Sequence, residues 1–190
     1  MGLLQMFLGI DLGTSGIRVL LVNAEGRAIG SAEVATKVSH PHLGWSEQDP
    51  SIWIAALEKA VAKLKSSTSA FAQVKGIGVS GQMHGATLLD PWDQVIRPCI
   101  LWNDTRSHVE AAELDSAANF RDISGNIVFP GFTAPKLEWL RKNEPNNYSR
   151  IAKVLLPAAF LNFYLTRDHV ADMSDSSGTS WLDTRKRCWS

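Results

Sequence analysis

The chain has 190 residues, 45% of them hydrophobic and 20% charged, with a formal net charge of zero. That balance fits a globular protein with a buried core and gives no electrostatic footprint for nucleic acid or an anionic membrane. Cys99 and Cys188 lack C-x-x-C spacing, which argues against a zinc site or a disulfide framework and makes the reducing cytoplasm the expected compartment. The opening Met-Gly-Leu-Leu-Gln-Met-Phe-Leu has no basic segment and runs into Asp11, so it does not read as a signal peptide. No apolar run reaches the length of a membrane span.

Strand patterns fill the first forty residues. Phe7–Leu12, Ile17–Val22 and Arg27–Val38 are separated by turns and predict three consecutive antiparallel strands. Between the first two, Asp11 ends an apolar run and Gly13-Thr14-Ser15-Gly16 turns the chain. Such a glycine-hydroxyl turn can aim backbone N–H groups at a phosphate while the carboxylate holds a magnesium ion. It can equally be a plain hairpin turn. Asp49-Pro50 then reads as a cap and first-turn proline, and Ile52, Trp53, Ala56, Leu57, Ala60, Val61 and Leu64 predict a helix over about 50–65.

Val74–Ser80 reads as a buried strand, Ala86–Asp90 as a short one, and Val95–Trp102 as a return strand after the turn Pro91–Gln94. Asp104 is placed to cap a helix ending near Leu114, and Pro135–Arg141 starts another closed by Pro145. Val154–Leu156 is a strand, Ala158–Leu165 a helix and Ser180–Leu182 a late strand. Gly76-Ile77-Gly78-Val79-Ser80-Gly81 spells the dinucleotide fingerprint. Beyond Gln82–Gly85, however, Ala86–Leu89 reads as strand, so the motif lacks the helix N-terminus that gives it meaning. The element order predicts a mixed α/β sheet with flanking helices, the ribonuclease-H-like unit of actin- and hexokinase-type phosphotransferases.

Five further segments stand in register with Gly9–Gly16: Trp45–Pro50, Gly81–Gly85, Ile100–Arg106, Pro130–Leu140 and Asp172–Thr179. Together they resemble the xylulokinase branch of the FGGY carbohydrate kinases, from about Phe7 to Ser190. The resemblance implies ATP-dependent phosphorylation of a ketopentose, D-xylulose first, with ATP and Mg2+ as cofactors. It implies that residues 1–190 are an incomplete N-terminal domain, the first of two such domains, with the catalytic base aspartate and most adenosine contacts outside the chain. It assigns Asp11 to the phosphate and Mg2+ site and Thr14 and Ser15 to the nucleotide phosphates. Gln82, Met83, His84, Trp102, Asn103 and Asp104 are assigned to the sugar. A small-molecule sugar is the expected partner, with a homodimer for the whole protein and neither nucleic acid nor membrane.

Alternatives stay open at this point. Gluconate, ribulose and glycerol are competing substrates, and a non-catalytic sugar-binding module or an actin-like ATPase are competing classes. Trp102 can be core and Asp104 only a cap; Arg106 reads as an ion-pair residue. Lys136 reads as a surface side chain, with action at long range on the closed site as its alternative; Trp139 reads as helix packing, and Asp172 and Asp175 as shaping a loop, with an approach to the active cleft as theirs. One departure concerns Leu156-Pro157, after which the family places Lys-Asp and this chain has Ala158-Ala159-Phe160.

Overall fold

Alternation of apolar and polar residues along Met6–Leu12 puts Met6, Leu8, Ile10 and Leu12 on a buried face and Phe7, Gly9 and Asp11 on an open one. The structure, a computed structural model, describes residues 5–117 and 119–190. The reading of the first eight residues as no signal peptide falls partly on residues 1–4, outside the described residues.

The chain forms two compact units. The first takes residues 5–37 and 51–82. Its strands β1 (Met6–Leu12), β2 (Gly16–Asn23) and β3 (Ala28–Ala35) form an antiparallel meander, as the turns imply. Strand β4 (Glu47–Gln48) belongs to the second unit. Helix α1 (Pro50–Ser67) and a 3-10 turn (Ser69–Gln73) lead to β5 (Val74–Gly81), which pairs parallel to β1 and completes the order β3-β2-β1-β5. Trp53, Ala56, Leu57, Ala60 and Leu64 of α1 are buried, as are Ile17, Val19 and Leu21 of β2. Each large side chain so buried contributes about 1.5–3 kcal/mol. Leu64 packs on Gly30 and Lys63 Nζ donates to the Glu33 carbonyl, which seats the helix against β3.

Strand β5 departs from the expectation of burial. It is the edge of the described sheet, and Ile77 is 51% exposed. Its glycines lie inside the strand, as the rejection of a dinucleotide site requires.

The second unit takes residues 38–50 and 83–190. Strand β6 (Thr87–Leu89) pairs with β8 (Lys153–Leu155), and β4 pairs with β7 (Cys99–Ile100), all antiparallel. Ala86, Leu88 and Ile100 from this framework bury against Leu140. Around it lie α2 (His108–Ser116), α3 (Phe120–Ser124), α4 (Thr133–Asn143), α5 (Pro145–Tyr148), α6 (Pro157–Thr166) and α7 (Met173–Ser177), then the hairpin β9 (Leu182–Asp183) and β10 (Cys188–Trp189).

Three expectations fail here. The strand over Val95–Trp102 shrinks to Cys99–Ile100, because Arg97 turns into ion pairs with Glu47 and Glu144 and Pro98 has no N–H to give a ladder. The helix after Asp104 begins only at His108, with Ser107 at the cap position. The hydroxyl-rich loop over Asp172–Thr179 contains α7, whose first turn is capped by Asp172 accepting from the Asp175 N–H at 2.9 Å. The departure at Ala158-Ala159-Phe160 has a local reason: all three are buried at the start of α6, where charged side chains would be desolvated.

Candidate functional site

In the first unit the hairpin between β1 and β2 carries Asp11, Thr14 and Ser15, the residues expected on the phosphate side. The Gly13 N–H donates to the Gly16 carbonyl at 2.9 Å, closing the turn. Thr36 pins it from outside: its N–H donates to the Ser15 carbonyl at 2.9 Å and its hydroxyl to the Thr14 carbonyl. The Thr14 hydroxyl donates to Gln82 Oε1 at 3.0 Å, joining the turn to the end of β5. Asp11 stands on the open face of the sheet, cross-strand from Arg18 on β2 and Ser80 on β5. Ser80 Oγ donates to its Oδ1 at 2.8 Å. Gly9 and Gly78 flatten the face beside it, so a shallow depression forms between Asp11, Arg18 and Ser80. Gln82, expected at the sugar, is buried and bonded to Thr14.

In the second unit His84 is the centre of a tight turn. Its φ is +62°, and the Gly85 N–H donates to the Met83 carbonyl at 2.8 Å, so Met83–Gly85 is a γ-turn of the positive-φ kind. A non-glycine residue holds that conformation only when its surroundings impose it. The surroundings are specific. The His84 carbonyl accepts from Lys136 Nζ at 2.8 Å and from the Thr133 hydroxyl at 3.2 Å, and its N–H donates to the Asp175 carboxylate. The imidazole packs on Phe132, ring centroids 4.6 Å apart. On the other side it meets Gly178, where a Cβ would fall 2.1 Å from His84 Cε1.

Burial, and then the nearby Lys136 charge, pull the His84 imidazole down to about 4, so it is neutral at physiological pH. A neutral imidazole donates from one nitrogen and accepts at the other, and Nδ1 is buried with no partner in the structure. The Asp175 carboxyl is pushed up to about 6 by burial and by the neighbouring Asp172.

Lys136 corrects the surface reading. It is 0% exposed, and its ammonium donates to the His84 carbonyl and, at 2.7 Å, to the Gly131 carbonyl. Burial brings it down to about 7. Gly131 itself has no room for a side chain, since a Cβ would fall 2.3 Å from the Trp102 carbonyl oxygen. Met83, Trp102 and Asn103 are exposed, with Asn103 beside the His40–Ser46 loop.

Asp104 differs from the expectation of a hydroxyl-binding carboxylate or a helix cap. It is 1% exposed, and its oxygens accept from Ser46 N, Arg106 N, Arg106 Nε and Arg106 Nη2 at 2.6–2.9 Å. These contacts fill the acceptor sites of a carboxylate. Arg106 is the ion-pair residue expected: Nη2 also meets Glu47 at 2.7 Å, and the guanidinium lies 3.6 Å over the Trp45 ring, with Trp139 edge-on to Trp45.

The family resemblance pointed to Asp11, Met83 and His84, and the support around His84 was missed. Thr133, Lys136 and Gly178 all lie in the segments Pro130–Leu140 and Asp172–Thr179, which was the available signal.

The chain belongs to the FGGY family of carbohydrate kinases, whose N-terminal domain profile matches residues 6–190. It is 47% identical over 186 residues to the xylulose kinase of Escherichia coli strain K12, covering 97% of this chain and 38% of that protein. The crystal structure of a xyloylose kinase from Brucella ovis superposes with a TM-score of 0.97 at 57% identity, over 98% of this chain and 39% of the other. A xylulose kinase from Rhodospirillum rubrum gives 0.93 at 28% identity, over 98% and 40%. The resemblance drawn from the motifs and the mixed α/β fold class are thereby borne out. The chain spans about 38% of the length of the curated relatives it matches.

Proposed function

We propose that this chain supplies the sugar-binding side, and the phosphate-side carboxylate, of an ATP-dependent kinase that converts D-xylulose to D-xylulose 5-phosphate. The observation that carries the reading is the turn at His84. A neutral, half-buried imidazole, braced through its main chain, suits a polyol that both donates and accepts hydrogen bonds. The likeness to proteins named xylulose kinase supports the choice of ketopentose.

In this reading Met83 and the exposed Trp102 face the C–H side of the sugar, Asn103 and His84 its hydroxyls, and Asp104 only holds the loop. Thr14 and Ser15 face the nucleotide phosphates. Asp11 suits a magnesium ion, which keeps much of its water and takes further oxygens from phosphates, so a single exposed carboxylate is enough. Among the described residues no cluster of three or more His, Cys, Asp or Glu gathers at one point. When bound, the ion would offset charge on the phosphoryl group. Holding the sugar in line and apart from water is what this chain's own residues contribute, because water competes with the sugar hydroxyl as acceptor. No residue here is proposed as the base that takes the hydroxyl proton. Cytoplasmic placement and a homodimer of the whole protein belong to the same reading; among the described residues no helix is long and apolar enough to cross a membrane.

The test is a coupled ADP-release assay on the whole protein containing this chain, with D-xylulose, ribulose, gluconate and glycerol. D-Xylulose is expected to show the highest kcat/KM. His84→Ala should raise the sugar KM by about tenfold or more while leaving the ATP KM in place. Preference for another polyol overturns the substrate; no transfer to any of them overturns the kinase reading.

A further inference from the structure

We infer that Lys136 is a positioning residue for sugar recognition: from inside helix α4 it fixes the His84 peptide in its left-handed turn and so aims the imidazole. The inference rests on the reading of His84 as a sugar contact. Four observations converge on it. Lys136 has no solvent access and no carboxylate in ion-pair contact among the described residues; its ammonium is spent on two main-chain carbonyls, one of them that of His84. Thr133, fully buried three residues earlier and so on the same face of α4, donates to the same oxygen. The residue they hold has φ +62° and is not glycine. The imidazole packs between Phe132 and Gly178, where a Cβ would fall 2.1 Å from its Cε1.

A lysine is costly to bury, and an apolar residue of the same length would pack the helix without that cost. What the apolar residue lacks is a donor for the His84 carbonyl. Lys136 and Thr133 together satisfy both lone pairs of that oxygen, while Asp175 accepts the N–H of the same residue. With the N–H and the carbonyl of His84 both engaged, the positive-φ turn satisfies all three partners at once. The side chain acts through His84 and does not itself touch the sugar.

The experiment uses the whole protein and compares Lys136→Met with Thr133→Val, each with sugar and ATP kinetics and a crystal structure. Lys136→Met keeps the stem and deletes the donor. The expected result is a sugar KM raised by about tenfold or more, with the ATP KM unchanged, and His84 outside the left-handed region. Thr133→Val, which leaves Lys136 in place, should give the same direction at about two- to fivefold. Lys136→Met with an intact turn and an unchanged sugar KM overturns the inference, since a merely structural lysine would change stability alone. If Lys136→Met does not fold, Thr133→Val decides by the same two readouts. If the parent protein phosphorylates none of the sugars, the functional reading fails; the turn in the variant structures then judges the positioning claim by itself.

Discussion

The Lys136 ammonium donates to the main-chain carbonyl of His84 at 2.8 Å from a position with no solvent access. This contact ties a helix to a turn 52 residues earlier in the chain. The lysine is brought down to about 7 by burial, and its charge helps burial bring the imidazole down to about 4.

The first prediction concerns that lysine. Unfolded, it keeps its proton to about pH 10.5; folded, it gives the proton up near pH 7. Between these values the unfolded chain binds more protons, so this group makes stability rise with pH, and the cost of burying its charge is fully present below pH 7. Above pH 9 Cys99 acts in the opposite sense, because burial raises its thiol to about 11. The clean window is therefore pH 7 to 9. Urea unfolding across it should show a wild-type contribution of up to about 1.4 kcal/mol per pH unit that Lys136→Met lacks. The variant should accordingly compare worst with the parent at pH 9 and best at pH 6. Parallel curves would refute a lysine titrating near neutrality.

A second prediction is steric. Gly178 has φ −79°, a value any residue adopts, so alanine there meets no backbone strain. It meets His84 instead, with the new Cβ 2.1 Å from Cε1 and 2.2 Å from Nδ1. Gly178→Ala should displace the imidazole, raise the sugar KM by about tenfold or more and cost about 1–3 kcal/mol of stability. A sugar KM equal to the parent's, measured beside a denaturation curve, would show that the ring position does not matter.

These two residues also show what the sequence could carry. The meander β1–β3 and helix α1 were legible because one face of each is buried, which writes a period of two or 3.6 directly into residue order. Asp11 stood out as a carboxylate beside a turn, and His84 only through the motif Gly81–Gly85. The brace around His84 was not legible, since nothing local distinguishes a lysine that reaches two carbonyls in a core from one that reaches water. Asp104 misled for the same reason. Its local context, Asp-Thr-Arg-Ser-His, reads as a cap, whereas its oxygens are filled by Arg106 and by Ser46, 58 residues away. Val95–Trp102 read as one strand because its apolar residues outweighed Arg97-Pro98, where ion pairing and a missing donor break the ladder.

The third prediction concerns Arg106. Its guanidinium bonds both Asp104 oxygens, meets Glu47 and stacks on Trp45. An ammonium cannot reproduce that planar fork or the stacking. Arg106→Lys should leave Asp104 and Glu47 undercompensated in a buried setting and lower the unfolding free energy by about 2–4 kcal/mol. Chemical denaturation checks this; a loss below about 0.5 kcal/mol would place the cluster among pairs of no structural consequence.

The fourth prediction separates chemistry from stability at Asp11. The side chain is exposed on the open face of the sheet, with Ser80 Oγ 2.8 Å from Oδ1 as its hydrogen-bond donor. Asn keeps the shape and the acceptor for Ser80 and removes only the charge. The fold should not register the change: Asp11→Asn is expected to alter the unfolding free energy by no more than about 0.5 kcal/mol. Transfer should register it strongly if Asp11 holds the phosphate-side place proposed for it, because a carboxylate there acts where charge develops, and losing one such group costs about a hundred- to a thousandfold in kcat. The sugar KM should hold, since sugar contacts are assigned to the turn at His84. Steady-state kinetics with D-xylulose and Mg-ATP, read beside a thermal melt, distinguish the cases. A kcat within about threefold of the parent would remove Asp11 from the phosphate side of the reaction. A large fall in both kcat and melting temperature would make it a structural carboxylate.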